Sequence, residues 1–202
     1  MDHDLVLVRH GRTAWAHTGR HTGRTDVPLD DVGERQGAGI AALLAGRRFV
    51  AVLSSPLLRA RRTAELAGLE VTAVDDDLQE WDYGGYEGLT TPQIRELTGT
   101  AWTVFADGVV PGDGDHPGES LDDVAARCRR VLDRVAPLLE RGDVALVAHG
   151  HLLRVLATTY LGLPPTAGAH LELDAGSVCE LNEHHGVPTI QRWNLTPEAS
   201  SG

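Results

Sequence analysis

Lysine is absent: all 18 basic residues of the 202-residue chain are arginine, a bias that codon usage can produce as readily as function. Cysteine is scarce. Cys128 and Cys179 are too few for the disulfide framework of a small secreted domain, so two free thiols are expected. No apolar run approaches the ~20 residues a membrane span needs. The start, Met1-Asp2-His3-Asp4, is acidic where a secretory leader is basic. A cytoplasmic location without membrane contact is the expectation. Positive charge is also in deficit: a net charge of −11 opposes binding to nucleic acid, whose phosphates an acidic surface repels. Repeats, low-complexity tracts and linkers are missing too, which leaves one domain over residues 1–202. Apolar residues at 42% and charged residues at 23% complete an ordinary globular balance.

The charge that is present is unevenly spread. Residues 1–62 hold ten arginines against six acidic residues, whereas residues 63–202 hold eight against 23. Guanidinium offers five donors and never deprotonates near neutrality, so arginines gathered inside an acidic chain suit a small anionic ligand.

Apolar patterning alternates strands with helices. Leu5–Val8 is a continuous β-forming run ending in Arg9-His10-Gly11, as expected of a strand buried on both faces. A helix over Gly33–Leu44 with Gly46 as its stop, and a strand over Phe49–Leu53, come next. Ser54-Ser55-Pro56 is expected to open a helix running to Ala67, and Val71–Val74 a third strand. Between residues 82 and 119 the pattern breaks into short helical pieces, Pro92–Leu97 and Ala101–Phe105, and a Gly/Asp loop, which suggests a lid. Ser120 with Asp123 resembles a capping box for a helix to Glu140. Val144–Ala148 then forms a strand, His149-Gly150 leads into a helix over Leu152–Leu161, and Leu171–Leu173, Val178–Leu181 and Thr189–Trp193 are expected as edge strands. The sum is a three-layer α/β/α sandwich on a mostly parallel sheet.

Two of these strands end alike, in Arg9-His10-Gly11 and in His149-Gly150. Ligands of open α/β sheets bind at the carboxyl ends of the strands, so both histidines are expected to meet one crevice. The glycines would let backbone approach the ligand, and the helix after Gly150 would offer its N–H groups to an anion. A strand-end histidine taken alone is an ordinary polar residue. Conjunction gives these weight: Arg59 lies beyond the next strand end and Glu80 after the third strand.

Leu7-Val8-Arg9-His10-Gly11, Thr22 to Leu29 with Gly33, Ser54-Ser55-Pro56 to Arg59-Ala60 with Thr63-Ala64, Leu78 to Gly84 with Tyr86-Glu87-Gly88, Gly118-Glu119-Ser120 and Ala148-His149-Gly150 follow in order. The chain thereby resembles the histidine phosphatase superfamily, the phosphoglycerate mutase-like proteins, over nearly its whole length. The resemblance implies that His10 is the nucleophile, Glu80 the proton donor and acceptor, and Arg9, Arg59 and His149 the clamp on the phosphoryl oxygens. It implies a cofactor-free, metal-independent reaction through phosphohistidine, and an acid- or sugar-phosphatase branch that includes sedoheptulose-bisphosphatase-like members.

Ala16 stands after Trp15 where the family commonly carries asparagine, so one phosphate donor is lost unless Thr18, Thr22 or the Gly23 backbone replaces it. Thr22 and Gly23 are kept as phosphate-binding candidates. His149-Gly150-His151 invites a metal, yet no further ligand cluster stands at suitable spacing, and a phosphate-facing His149 is preferred. Arg20, His21, Arg24 and Arg154 are candidates for a second anionic group of the substrate, or plain surface residues. Trp81, Tyr83, Tyr86 and Trp102 either pack the lid or line the pocket. Glu119 and Ser120 read as a helix cap, Glu65 and Glu87 as structural.

A phosphatase acting on a small phosphorylated metabolite is therefore expected. A mutase would have to retain a bisphosphate, and between Tyr83 and Ser120 the lid holds only one basic residue, Arg95. A non-catalytic phosphate-binding regulatory module is the third reading, but a binder needs neither nucleophile nor general acid. The oligomeric state stays open, a homodimer included.

Overall fold

The computed structural model describes residues 3–197, so Met1 and Asp2 of the acidic start lie outside the described residues. Strand β1 (Leu5–Arg9) sends Leu5 and Leu7 to one face of a sheet and Val6 and Val8 to the other. All four are fully buried, which is why the run lacks polar alternation. Strands β2 (Phe49–Ser54), β3 (Ala73–Val74), β4 (Asp143–Ala148), β5 (Val178–His184) and β6 (Val187–Leu195) complete six strands in the order β3-β2-β4-β1-β5-β6. The first four are mutually parallel, with Leu5 opposite Val144 and Leu53 opposite Leu146; β5 runs antiparallel to β1 and to β6.

After a single turn, α1 (Ala14–His17), helices α2 (Asp31–Leu43) and α3 (Leu58–Leu66) cover the face of Val6, Val8, Val52, Ala145 and Val147. The opposite face carries α6 (Leu121–Leu139) and α7 (Gly150–Tyr160), with the short helices α4 (Thr91–Thr98) and α5 (Val104–Asp107) beyond them. The mixed α/β sandwich expected from the alternation is the fold observed. Cys128 and Cys179 are both free and buried.

Several local expectations are corrected. The helix expected to open at Ser54 begins at Leu58, because Ser54 ends β2 and the Ser55 hydroxyl is engaged by His149. Its N-terminal Leu58 N–H is instead accepted by the Asp26 carboxylate, 2.9 Å away and 32 residues earlier. The third strand shortens to two residues. Leu171–Leu173 forms no strand, and β5 is interior because β6 covers its outer edge. The Ser120–Asp123 capping box forms as expected at the start of α6. Glu119 takes no part in it: its carboxylate pairs with Arg127 and accepts the Asp82 N–H.

Candidate active site

The carboxyl ends of the parallel strands β1 and β4 bring His10 and His149 together, ring centroids 5.0 Å apart. His10 is 6% exposed, and its Nδ1 lies 2.7 Å from the Gly11 carbonyl. A carbonyl can only accept, so Nδ1 carries the proton and the Nε2 lone pair is free. Burial, and then the nearby Arg59 and Arg9 cations, hold the imidazole pKa well below its usual value, so the ring is neutral at neutral pH.

His149 is fully buried, and its pKa is likewise lowered, by burial first and then by Arg59 and His10. Its Nδ1 accepts from Arg59 Nε at 3.2 Å, which puts the proton on Nε2, 2.7 Å from Ser55 Oγ. His149 is therefore a neutral donor through Nε2–H.

Glu80 is 5% exposed and accepts three backbone bonds: from Trp81 N at 2.9 Å, His151 N at 3.0 Å and Leu152 N at 2.9 Å. The last two donors belong to the first turn of α7. The N–H groups expected to meet an anionic ligand thus already hold the Glu80 carboxylate. From behind, Arg127 donates to the carbonyls of Asp77, Gln79 and Glu80 while paired with Glu119 at 2.9 Å, so this buried ion pair clamps the segment that carries Glu80.

Arg9 donates to the Leu173 carbonyl and keeps a buried Nε with no hydrogen-bond partner in the structure. Gly150 makes room for it: a Cβ there would stand 3.2 Å from the guanidinium carbon. Gly11 admits the backbone of Gly33. Gly11 thus admits another part of the protein rather than a ligand, whereas Gly150 both admits Arg9 and borders the cavity beside it.

A cavity of about 200 Å³ opens on Arg9, His10, Glu80, Thr22, Ala16, Arg20, His21, Tyr83, His151 and Arg154. Arg59, His149 and Gly23 do not line it. Arg59 is fully buried and donates to the carbonyls of Gly23 at 2.8 Å, Thr25 at 2.9 Å and Thr22 at 3.3 Å. The Gly23 N–H is taken by Glu87 at 2.9 Å, and Glu87 also accepts from Thr25 N, so it braces the 22–25 loop. Of the substitutes for the missing asparagine, Thr22 alone lines the cavity; the Thr18 hydroxyl caps α1 through Ala14 O and Trp15 O. Arg24 is paired with Asp82 at 3.1 Å. Arg20 lies over the Trp15 ring at 5.8 Å. Among the aromatics, Tyr83 faces the cavity, whereas Trp81 and Tyr86 are packed into the buried core.

Ser55, Arg127 and Glu119 escaped sequence reasoning as site residues. Ser55, at a strand end beside the Arg59 motif, and Glu119, in the Gly118-Glu119-Ser120 motif, left a signal; Arg127 left none. Among the described residues no three His, Cys, Asp or Glu side chains stand together to hold a metal ion, and no helix is long and apolar enough to cross a membrane.

The sequence model of the histidine phosphatase superfamily (branch 1) matches residues 5–196. An acid phosphatase of Mycobacterium tuberculosis is 39% identical over 96% of this chain and 94% of its own. A sedoheptulose 1,7-bisphosphatase of Saccharomyces cerevisiae is 33% identical over 78% of this chain and 67% of its own. A solved structure of an open reading frame from Mycobacterium tuberculosis superposes with a TM-score of 0.91 at 38% identity, covering 98% of this chain and all of that one.

Proposed function

This chain belongs to branch 1 of the histidine phosphatase superfamily and is a phosphatase, and on that premise we propose that it is a metal-independent phosphomonoesterase of the acid-phosphatase type that works through phosphohistidine. The observation that carries the reading is the state of His10, neutral, with Nδ1–H tied to Gly11 and Nε2 open to the cavity beside an Arg9 whose buried Nε has no partner.

In the first step His10 Nε2 attacks phosphorus, the P–O ester bond breaks, and Glu80 gives a proton to the departing oxygen. In the first turnover that proton arrives with the monoanion of the substrate, whose phosphate loses its second proton near pH ~6, and in later ones it is the proton Glu80 has kept from water. In the second step water attacks phosphorus, Glu80 takes its proton, and the P–N bond breaks to return neutral His10 and inorganic phosphate. Acid–base help of this kind contributes ~10² to 10⁴ in rate.

Arg9 and Thr22 hold the phosphoryl oxygens from the cavity wall. Arg59 and the His149 Nε2–H reach them by exchanging neutral acceptors, the Thr22 carbonyl and Ser55 Oγ, for a charged oxygen. Gly23 contributes through its carbonyl grip on Arg59. Residues 82–119 serve as a lid on one domain, and the enzyme works in the cytoplasm.

His10→Ala tests the reading. With the fold intact by circular dichroism, turnover of phosphomonoesters should be abolished. Quenching under alkaline conditions, where phosphohistidine survives, should label wild type and not the variant. Substantial residual activity in the variant would remove His10 from its role.

A further inference from the structure

The active-site cavity shares His21, His151 and Arg154 with a second lobe of about 280 Å³ that also borders Arg95, Thr91 and Trp102. His151 marks this as the leaving-group side, because its backbone N–H holds Glu80, the proposed proton donor to the departing oxygen. The lobe is built of donors. Arg154, over the Phe105 ring at 4.7 Å, spends Nε on the Gly168 carbonyl at 2.8 Å and one Nη2 bond on Ala169, leaving further N–H groups uncommitted. Arg95 spends only Nε, on the Trp102 carbonyl at 3.0 Å.

The Tyr83 hydroxyl stands 2.6 Å from His151 Nδ1. Burial keeps that phenol protonated and likewise holds the His151 ring uncharged. His21, lowered to about 4 by burial, is uncharged. The positive charge of the lobe is therefore that of Arg95 and Arg154. Among the described residues no carboxylate lines the lobe or forms an ion pair with either arginine; Glu80 and Glu172 act on Arg154 only through space. In a chain of net charge −11, two cations without acidic partners in one cavity want an anion.

We propose that this second lobe binds a second anionic group carried by the leaving alcohol, a carboxylate or a phosphate, so that the preferred substrates are phosphomonoesters with a distal anion. The proposal rests on the phosphatase reading and deepens it. It leaves Tyr83 as a positioning residue and gives Arg95 and Arg154 the discrimination.

The experiment compares kcat/KM within matched pairs: three- and six-carbon α,ω-alkanediol monophosphates against their bisphosphates, and glycerol 3-phosphate against 3-phosphoglycerate. Wild type should favour the doubly anionic member of at least one pair about tenfold or more, the size of a bond to a charged group. A preference confined to 3-phosphoglycerate assigns a carboxylate, and one confined to the bisphosphates a phosphate. Arg95→Gln and Arg154→Gln should each cut the ratio at least threefold. Should Arg154→Gln lose its cooperative melt because Gly168 and Ala169 need its bonds, Arg95→Gln, on an exposed face of α4, decides. Ratios at or below the statistical factor of about two in every pair overturn the proposal, as do ratios that neither substitution moves. Failure of wild type to hydrolyse even p-nitrophenyl phosphate overturns the phosphatase reading itself, and this proposal with it.

Discussion

At the scale of single residues the site depends on which nitrogen or oxygen is already spoken for. Gly11 fixes the tautomer of His10, and Arg59 fixes that of His149, each through one bond. Glu80 is held by three N–H donors, and this makes its replacement informative. In Glu80→Gln one oxygen becomes an NH₂ group facing a backbone donor, so a stability loss of about 1–3 kcal/mol is expected, read by thermal melting. An alkoxide leaves poorly without a proton, whereas p-nitrophenolate leaves readily. The variant should therefore lose its rate on alkyl phosphates strongly, yet still show a burst of nitrophenol followed by slow turnover. Stopped-flow absorbance checks this; equal losses on both ester types without a burst would leave Glu80 a purely positioning role.

At the scale of elements, capping and bracing decide where segments begin and what they present. The Ser120 hydroxyl accepts the Asp123 N–H at 3.1 Å while Asp123 reaches back to Ser120 N at 3.1 Å. Ser120→Ala should cost about 1 kcal/mol and lower the melting temperature by roughly 2–4 °C without changing kcat. A much larger drop in kcat would mean that the α6 start is coupled to the Glu119–Arg127 clamp next to it. The capping box was legible in the sequence because its partners lie three residues apart. The start of α3 was not, since its N–H partner, Asp26, lies 32 residues away and the Ser55 oxygen is shared between Leu57 N and His149 Nε2.

At the scale of the whole molecule, four neutral histidines packed around one cavity make stability depend on pH. His10, His149 and His151 are held well below the usual histidine pKa and His21 at about 4, burial being the first cause in each. The unfolded chain takes up protons below pH ~6.5 that the folded one refuses. The contribution is thus complete above pH ~6.5 and lost as pH falls toward 4, at about 1.4 kcal/mol per pH unit for each proton taken up. Melting temperature measured from pH 7.5 to 4.5 should fall, and calorimetric unfolding near pH 5 should absorb more than one proton. A flat profile would show that these rings are charged in the folded state. On the proposed reading Arg9 and Arg59 supply the charge a metal otherwise would, so EDTA should leave phosphate release unchanged; activity lost on chelation and restored by zinc or manganese would point instead to His149 and His151.

The sequence by itself determined the layered α/β order and the strand-end places of His10 and His149, and its resemblance to a known family named Arg9, Arg59 and Glu80 beside them as candidates. Each follows from short-range periodicity or from motif order, which depend on neighbours a few residues apart. Only the tertiary structure decided which of these face solvent and which stand behind: Arg59, His149 and Gly23 lie off the cavity wall, the α7 N–H groups serve Glu80, and Glu119 braces rather than caps. The physical reason is that hydrogen-bond capacity is finite and is shared out by contacts between residues far apart in sequence, 94 positions for Ser55 and His149 and 164 for Arg9 and Leu173. No local pattern records how that sharing ends.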